Sequence, residues 1–120
     1  MEPASSTAQA WEGEDRRAPR HRVLLTGVVA HDDLGVSFRC SIRDRSSQGA
    51  RLRLPDGILA PSEFRMIDVA EGYAYEATTK WRRYPELGVA LANPINLRTA
   101  WFDWWQRQLR ALWLEAAPRR

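Results

Sequence analysis

The chain has 120 residues, 44% apolar and 10% aromatic, which suits one small globular domain with its own core. Its basic residues are nearly all arginine, with Lys80 the only lysine, yet the formal net charge is +3, which argues against wholesale coating of nucleic acid by a dense positive stripe. The lone Cys40 excludes an intrachain disulfide, and no run of about 18 apolar residues offers a membrane-spanning helix.

Met1 to Asp15 mixes Pro, Ser, Thr, Gly and acidic residues without periodicity and reads as a flexible N-terminal arm, with Trp11 as its one anchor. It lacks the basic start and apolar stretch of a signal peptide, so a soluble, cytoplasmic protein is expected. Glu14 to Val23 then puts four arginines, Arg16, Arg17, Arg20 and Arg22, into seven positions. Val23 to Ala30 reads as a strand, and His31 to Gly35 as a turn in which Gly35 is available for positive φ. From Val36 to Arg43, Val36, Phe38, Cys40 and Ile42 alternate with polar residues, so one side of a second strand faces a core and Cys40 is a small buried hydrophobe.

Asp44 to Gly49 breaks the alternation as a turn, and Ala50 to Leu54 resumes it with Leu52 and Leu54 against Arg51 and Arg53. Glu63 to Ala70 and Tyr73 to Arg82 are further strands, followed by a short one at Val89-Ala90-Leu91. Six short strands at regular spacing predict a closed or nearly closed antiparallel β-barrel. Thr99 to Ala116 has no Gly or Pro and sets Trp101, Trp105, Leu109, Leu112 and Ala116 on one face of an amphipathic helix, with Thr99 as N-cap. Phe102, Trp104, Trp113 and Leu114 widen that apolar surface, so the helix either completes the core or also serves self-association or a protein partner. The divisions are an arm over 1–15, a domain over 16–116 with its barrel at about 22–92 and helix at about 99–116, and a tail over 117–120.

Two segments carry chemistry. Arginine suits planar, two-pronged recognition of phosphate or of guanine O6 and N7, and it stacks on purine faces. Asp44 is an acceptor that suits guanine N1 and N2 donors, Ser46 donates or accepts, and Gly49 lets backbone and ligand approach closely. Read alone, the arginines are a solvated cluster that Glu12, Glu14 and Asp15 could neutralise, and D-x-S-x-x-G is a common turn. Together they are more specific, because antiparallel pairing of the first two strands brings Arg20 and Asp44 to the same barrel end.

R-R-x-x-R before a Val-initiated strand (Arg16, Arg17, Arg20, Val23) and D-x-S-x-x-G (Asp44, Ser46, Gly49) resemble the signature of PilZ domains, bacterial receptors for cyclic di-GMP. Trp81-Arg82-Arg83 with Glu86-Leu87-Gly88-Val89 looks like that family's last strand pair, so the resemblance spans about Arg16 to Leu91. It implies a mainly β fold: a six-stranded antiparallel split barrel with a C-terminal helix, and a binding module without catalysis, cofactor or metal. By the same resemblance Arg16 and Arg20 clamp guanine and phosphate, with Arg17 beside them, and Asp44, Ser46 and Gly49 form the second wall. Trp81 to Arg83 either borders the site or is barrel structure. The implied partners are cyclic di-GMP and an unidentified downstream protein, with no membrane. The competing readings are a barrel for single-stranded nucleic acid, using Tyr73, Tyr75 or Trp81 as stacking platforms, and a ligand-independent interaction module acting through the tryptophan-rich helix.

Overall fold

The computed structural model describes residues 20–99 and 103–118. Arg16, Arg17, Trp11, Trp101, Phe102 and the expected arm lie outside the described residues. Among the described residues six strands, β1 (His21–Ala30), β2 (Ser37–Arg45), β3 (Gly49–Arg53), β4 (Glu63–Asp68), β5 (Tyr73–Arg83) and β6 (Glu86–Asn96), precede one helix, α1 (Trp104–Ala116). The strands form a closed antiparallel barrel in the order β1-β2-β3-β6-β5-β4, as expected. Closure comes from β1 pairing with β4, so β1 has a partner on both edges.

Period-two alternation sorts the side chains between two cores. Val29, Ile42, Leu52, Phe64, Met66 and Val89 fill the barrel interior, where Cys40 is also buried. Burial pushes the Cys40 thiol up to about 12, so it remains a protonated, inert group at neutral pH. Val28, Ala30, Ile67 and Ala74 point outward instead and meet Leu109, Trp105, Leu112 and Trp113 of α1. Trp113 Nε1 donates to the Val69 carbonyl at 2.9 Å, while the Arg65 and Arg98 guanidiniums lie 4.5 and 5.2 Å from the rings of Trp105 and Trp113. Tryptophans of the helix thus complete the second core, although Trp104 and Leu114 remain exposed.

Several boundaries differ from expectation. β6 runs on through Asn93-Pro94 to Asn96 because Asn93 adopts a left-handed φ of 54° and the β5–β6 register shifts between Ala74 and Glu76, which absorbs the proline in a bulge. The helix begins at Trp104 with Asp103 as its N-cap, whereas Thr99 hydrogen-bonds back to the Asn96 carbonyl in a preceding turn. In the β1–β2 turn Leu34, not Gly35, takes positive φ (61°), its side chain packed against the second core while Asp33 accepts from the Gly35 amide at 2.8 Å. No described helix is long and apolar enough to cross a membrane.

Candidate functional site

The expected meeting of the two motif segments is visible in the β1–β2 register. His21 stands opposite Arg45 and Arg22 opposite Asp44, so Arg20, exposed just before β1, lies at the barrel end that carries the D-x-S-x-x-G segment.

Asp44 is not in a turn, as the broken alternation suggested, but within β2. Between Ile42 and Asp44 the β2–β3 register slips by one residue, so Asp44 pairs with Arg51 and Arg45 with Ala50. Ala50 and Leu52 face the barrel interior, which sends Arg51 and its neighbour Asp44 to the outer face and Arg45 inward. Without that slip Asp44 would follow Ile42 into the interior.

On the outer face Asp44 Oδ2 accepts from Arg51 Nε at 2.5 Å, and Arg51 Nη1 donates to both Glu86 carboxylate oxygens at 2.9 Å. The bond to Asp44 raises the Arg51 guanidinium above its usual value, against a smaller opposing effect of burial. Arg51 and Glu86 are not among the candidate site residues read from the sequence, although the Arg51/Leu52 alternation marks Arg51 as outward-facing and Glu86 opens the last segment of the resemblance. Arg22, Asp44, Arg51, Gly88 and Trp81 are successive register partners across β1, β2, β3, β6 and β5. A β-carbon on Gly88 would stand 2.0 Å from Trp81 Nε1, so the indole lies directly over Gly88, the register partner of Arg51.

Ser46 and Gly49 have local roles. The Ser46 amide donates to the Gly49 carbonyl at 2.9 Å, and the Ser46 hydroxyl accepts from the Gln48 amide at 3.2 Å, which closes the β2–β3 turn. Gly49 opens β3 opposite Ala90 in strand conformation; among the described glycines only Gly57 and Gly72 take positive φ.

Inside the same barrel end, Arg45 and Ser46 line a cleft of about 710 Å³ together with His21, Asp68, Glu71 and Tyr75. Arg45 ties the turn to the β4–β5 connection: it donates to the Ser46 carbonyl, to Asp68 at 3.2 Å and to Glu71 at 3.2 Å, and lies 4.9 Å from the Tyr75 ring centre. The Tyr75 hydroxyl donates to Glu71 at 2.7 Å; burial first, then that bond, pushes it up to about 12. Arg45, Asp68, Glu71 and Tyr75 satisfy one another within the cleft and so brace the turn.

No family model matches the sequence, and no curated protein matches it. Among solved structures the chain is similar to the PilZ domain of CeSA from a cellulose-synthesizing bacterium, at 12% identity and a TM-score of 0.44, over 79% of this chain and 92% of that one.

Proposed function

We propose that this domain is a receptor for cyclic di-GMP, bound at the end of the barrel by Arg16, Arg17 and Arg20 on one side and by Asp44, Ser46 and Gly49 on the other. The observation that carries the reading is the register of His21 with Arg45 and of Arg22 with Asp44, which leaves Arg20 next to the acidic motif about two dozen residues further on. The ligand is a compact dianion with two guanines. Arginine forks serve both its phosphates and its guanine edges, and a carboxylate that gives one oxygen to Arg51 retains acceptor capacity for guanine N1 and N2 donors. Three or four such contacts, at roughly 1 to 3 kcal/mol each, support micromolar or tighter binding, about −8 kcal/mol. The apolar residues of the helix that remain exposed, Trp104 and Leu114, suit a module that passes its bound state to another protein of motility, secretion, polysaccharide or signalling machinery.

The sequence suggests an arm from about Glu12 to Arg22, but His21 and Arg22 are already paired in β1, so in this reading it is the segment ahead of His21 that folds over the ligand against the Asp44 segment, with the ligand's charge as the switch. Amide exchange in that segment is expected to slow when cyclic di-GMP is added, and unchanged exchange would rule the ordering out.

Calorimetric titration with cyclic di-GMP, with GTP and cyclic di-AMP as controls, tests the function itself. The wild-type chain is expected to bind, and Arg16→Ala and Arg20→Ala to lose the binding with circular dichroism unchanged. Ordinary affinity in both variants sinks the site. Binding to oligonucleotides of many sequences with a steep salt dependence, and none to the cyclic dinucleotide, would favour the nucleic-acid reading instead.

A further inference from the structure

We infer that Arg51 is a positioning residue of this site: held by Glu86 on one side, it fixes the Asp44 carboxylate for the ligand on the other. The inference rests on the cyclic di-GMP reading above and adds two residues to it.

Asp44 comes immediately after an irregularity in β2, where the strand has one residue more than β3. A short carboxylate side chain at such a place has several rotamers open to it and needs a partner to hold one. Arg51 is its cross-strand partner on β3, and the 2.5 Å contact from Nε engages only one edge of the guanidinium. The other edge, through Nη1, is bound by both oxygens of Glu86 at 2.9 Å, and Glu86 belongs to β6 on the far side of β3. Three adjacent strands therefore converge on one planar group. The side chains of Arg51, Asp44 and Glu86 are 27%, 13% and 23% exposed, so the set is partly shielded from water and less screened than a fully exposed pair. An arginine anchored at one edge cannot swing away from the carboxylate at its other edge without breaking the Glu86 contact. Lysine has no second edge to anchor, so the arrangement needs the guanidinium fork.

Arg51 acts through Asp44, and this separates it from a direct ligand contact. In calorimetric titrations with cyclic di-GMP, Arg51→Ala is expected to weaken binding about tenfold, the scale of one charge-assisted hydrogen bond. The Arg51→Ala/Asp44→Ala double variant should bind within about twofold of Asp44→Ala alone, the mark of two residues acting as one unit. Affinity of Arg51→Ala within about twofold of wild type overturns the inference, and so do fully additive losses, which would make Arg51 an independent contact. Thermal unfolding and circular dichroism accompany each titration. If Arg51→Ala does not fold, Arg51→Lys carries the test: it keeps the charge, loses the fork and is expected to weaken binding about threefold, with unchanged affinity overturning the inference. A wild-type chain that binds no cyclic di-GMP overturns the functional reading and this inference together, whereas wild-type binding with an unaffected Arg51→Ala overturns this inference alone.

Discussion

Asp44 and Arg45 are chain neighbours with opposite destinations. Asp44 goes to the outer face and Arg51; Arg45 goes to the barrel mouth, where its side chain is 13% exposed against an Asp68 carboxylate that is 5% exposed. Removing one partner from so buried a pair strands the other charge, and this costs more than the intact pair contributes. Arg45→Ala is therefore expected to lower stability by about 3 kcal/mol, read from urea unfolding, whereas Glu71→Gln should cost under about 1 kcal/mol because Glu71 is 41% exposed. A loss below about 1 kcal/mol in Arg45→Ala would show that water reaches Asp68 and that the brace behind the turn is weak. Little of this was legible in the sequence. The residues Arg20, Asp44, Ser46 and Gly49 could be singled out by motif, but the outward turn of Asp44 depends on a one-residue slip against β3 that leaves no mark in local composition. Ser46 and Gly49 show the opposite case: the features that marked them as a motif are those that close a β2–β3 turn, so sequence reading could not separate the two roles.

At the scale of elements, the sequence displays β-branched and alternating runs between turn signals, and their number and regular spacing were enough for six strands in a closed or nearly closed barrel. Such patterns failed where local signals contradict the tertiary arrangement. Asn93-Pro94 reads as a strand breaker, but past Ala90 the β6 backbone pairs only with β5, apart from the Leu91 amide bond to the Gln48 carbonyl. A residue without an N–H is tolerated there, and the Asn93 side chain fastens the bulge by donating to Glu76 at 2.8 Å. The helix was recognisable from its apolar spacing, and the described part of that face, Trp105, Leu109, Leu112 and Ala116, is the part that docks. Its start was misplaced because Thr99 has the chemistry of an N-cap but uses it to satisfy the Asn96 carbonyl. Trp81 and Gly88 form a pair no single-strand pattern reveals: β5 and β6 must first be aligned before the missing side chain on one explains the aromatic on the other.

At the scale of the molecule, the two cores are not separate compartments, because β1 serves both. Val29 faces the interior, and the residues on either side of it, Val28 and Ala30, face the helix. Losing α1 would uncover the outer side of β1, β4 and β5, and losing β1 would open the barrel and remove the helix's seat at once. The domain should therefore unfold as one cooperative unit, with helix and barrel melting together. Leu109 is the sharpest probe, since it is the fully buried residue of α1 and its truncation leaves a cavity against β1 and β4 without touching the barrel interior. Leu109→Ala is expected to cost about 2 to 5 kcal/mol. Trp104, Trp105 and Trp113 lie on the helix and Trp81 on β5, so in a Trp81→Phe background tryptophan fluorescence weights the helix, while the strand region of far-ultraviolet circular dichroism weights the barrel. In wild type and variant alike the two transitions should coincide, shifted together to lower denaturant in Leu109→Ala. An early fluorescence transition followed by an unshifted loss of strand signal would mean that α1 is an appendage that detaches on its own. The surface beneath it would then be available to a partner in a way that the shared strand now argues against.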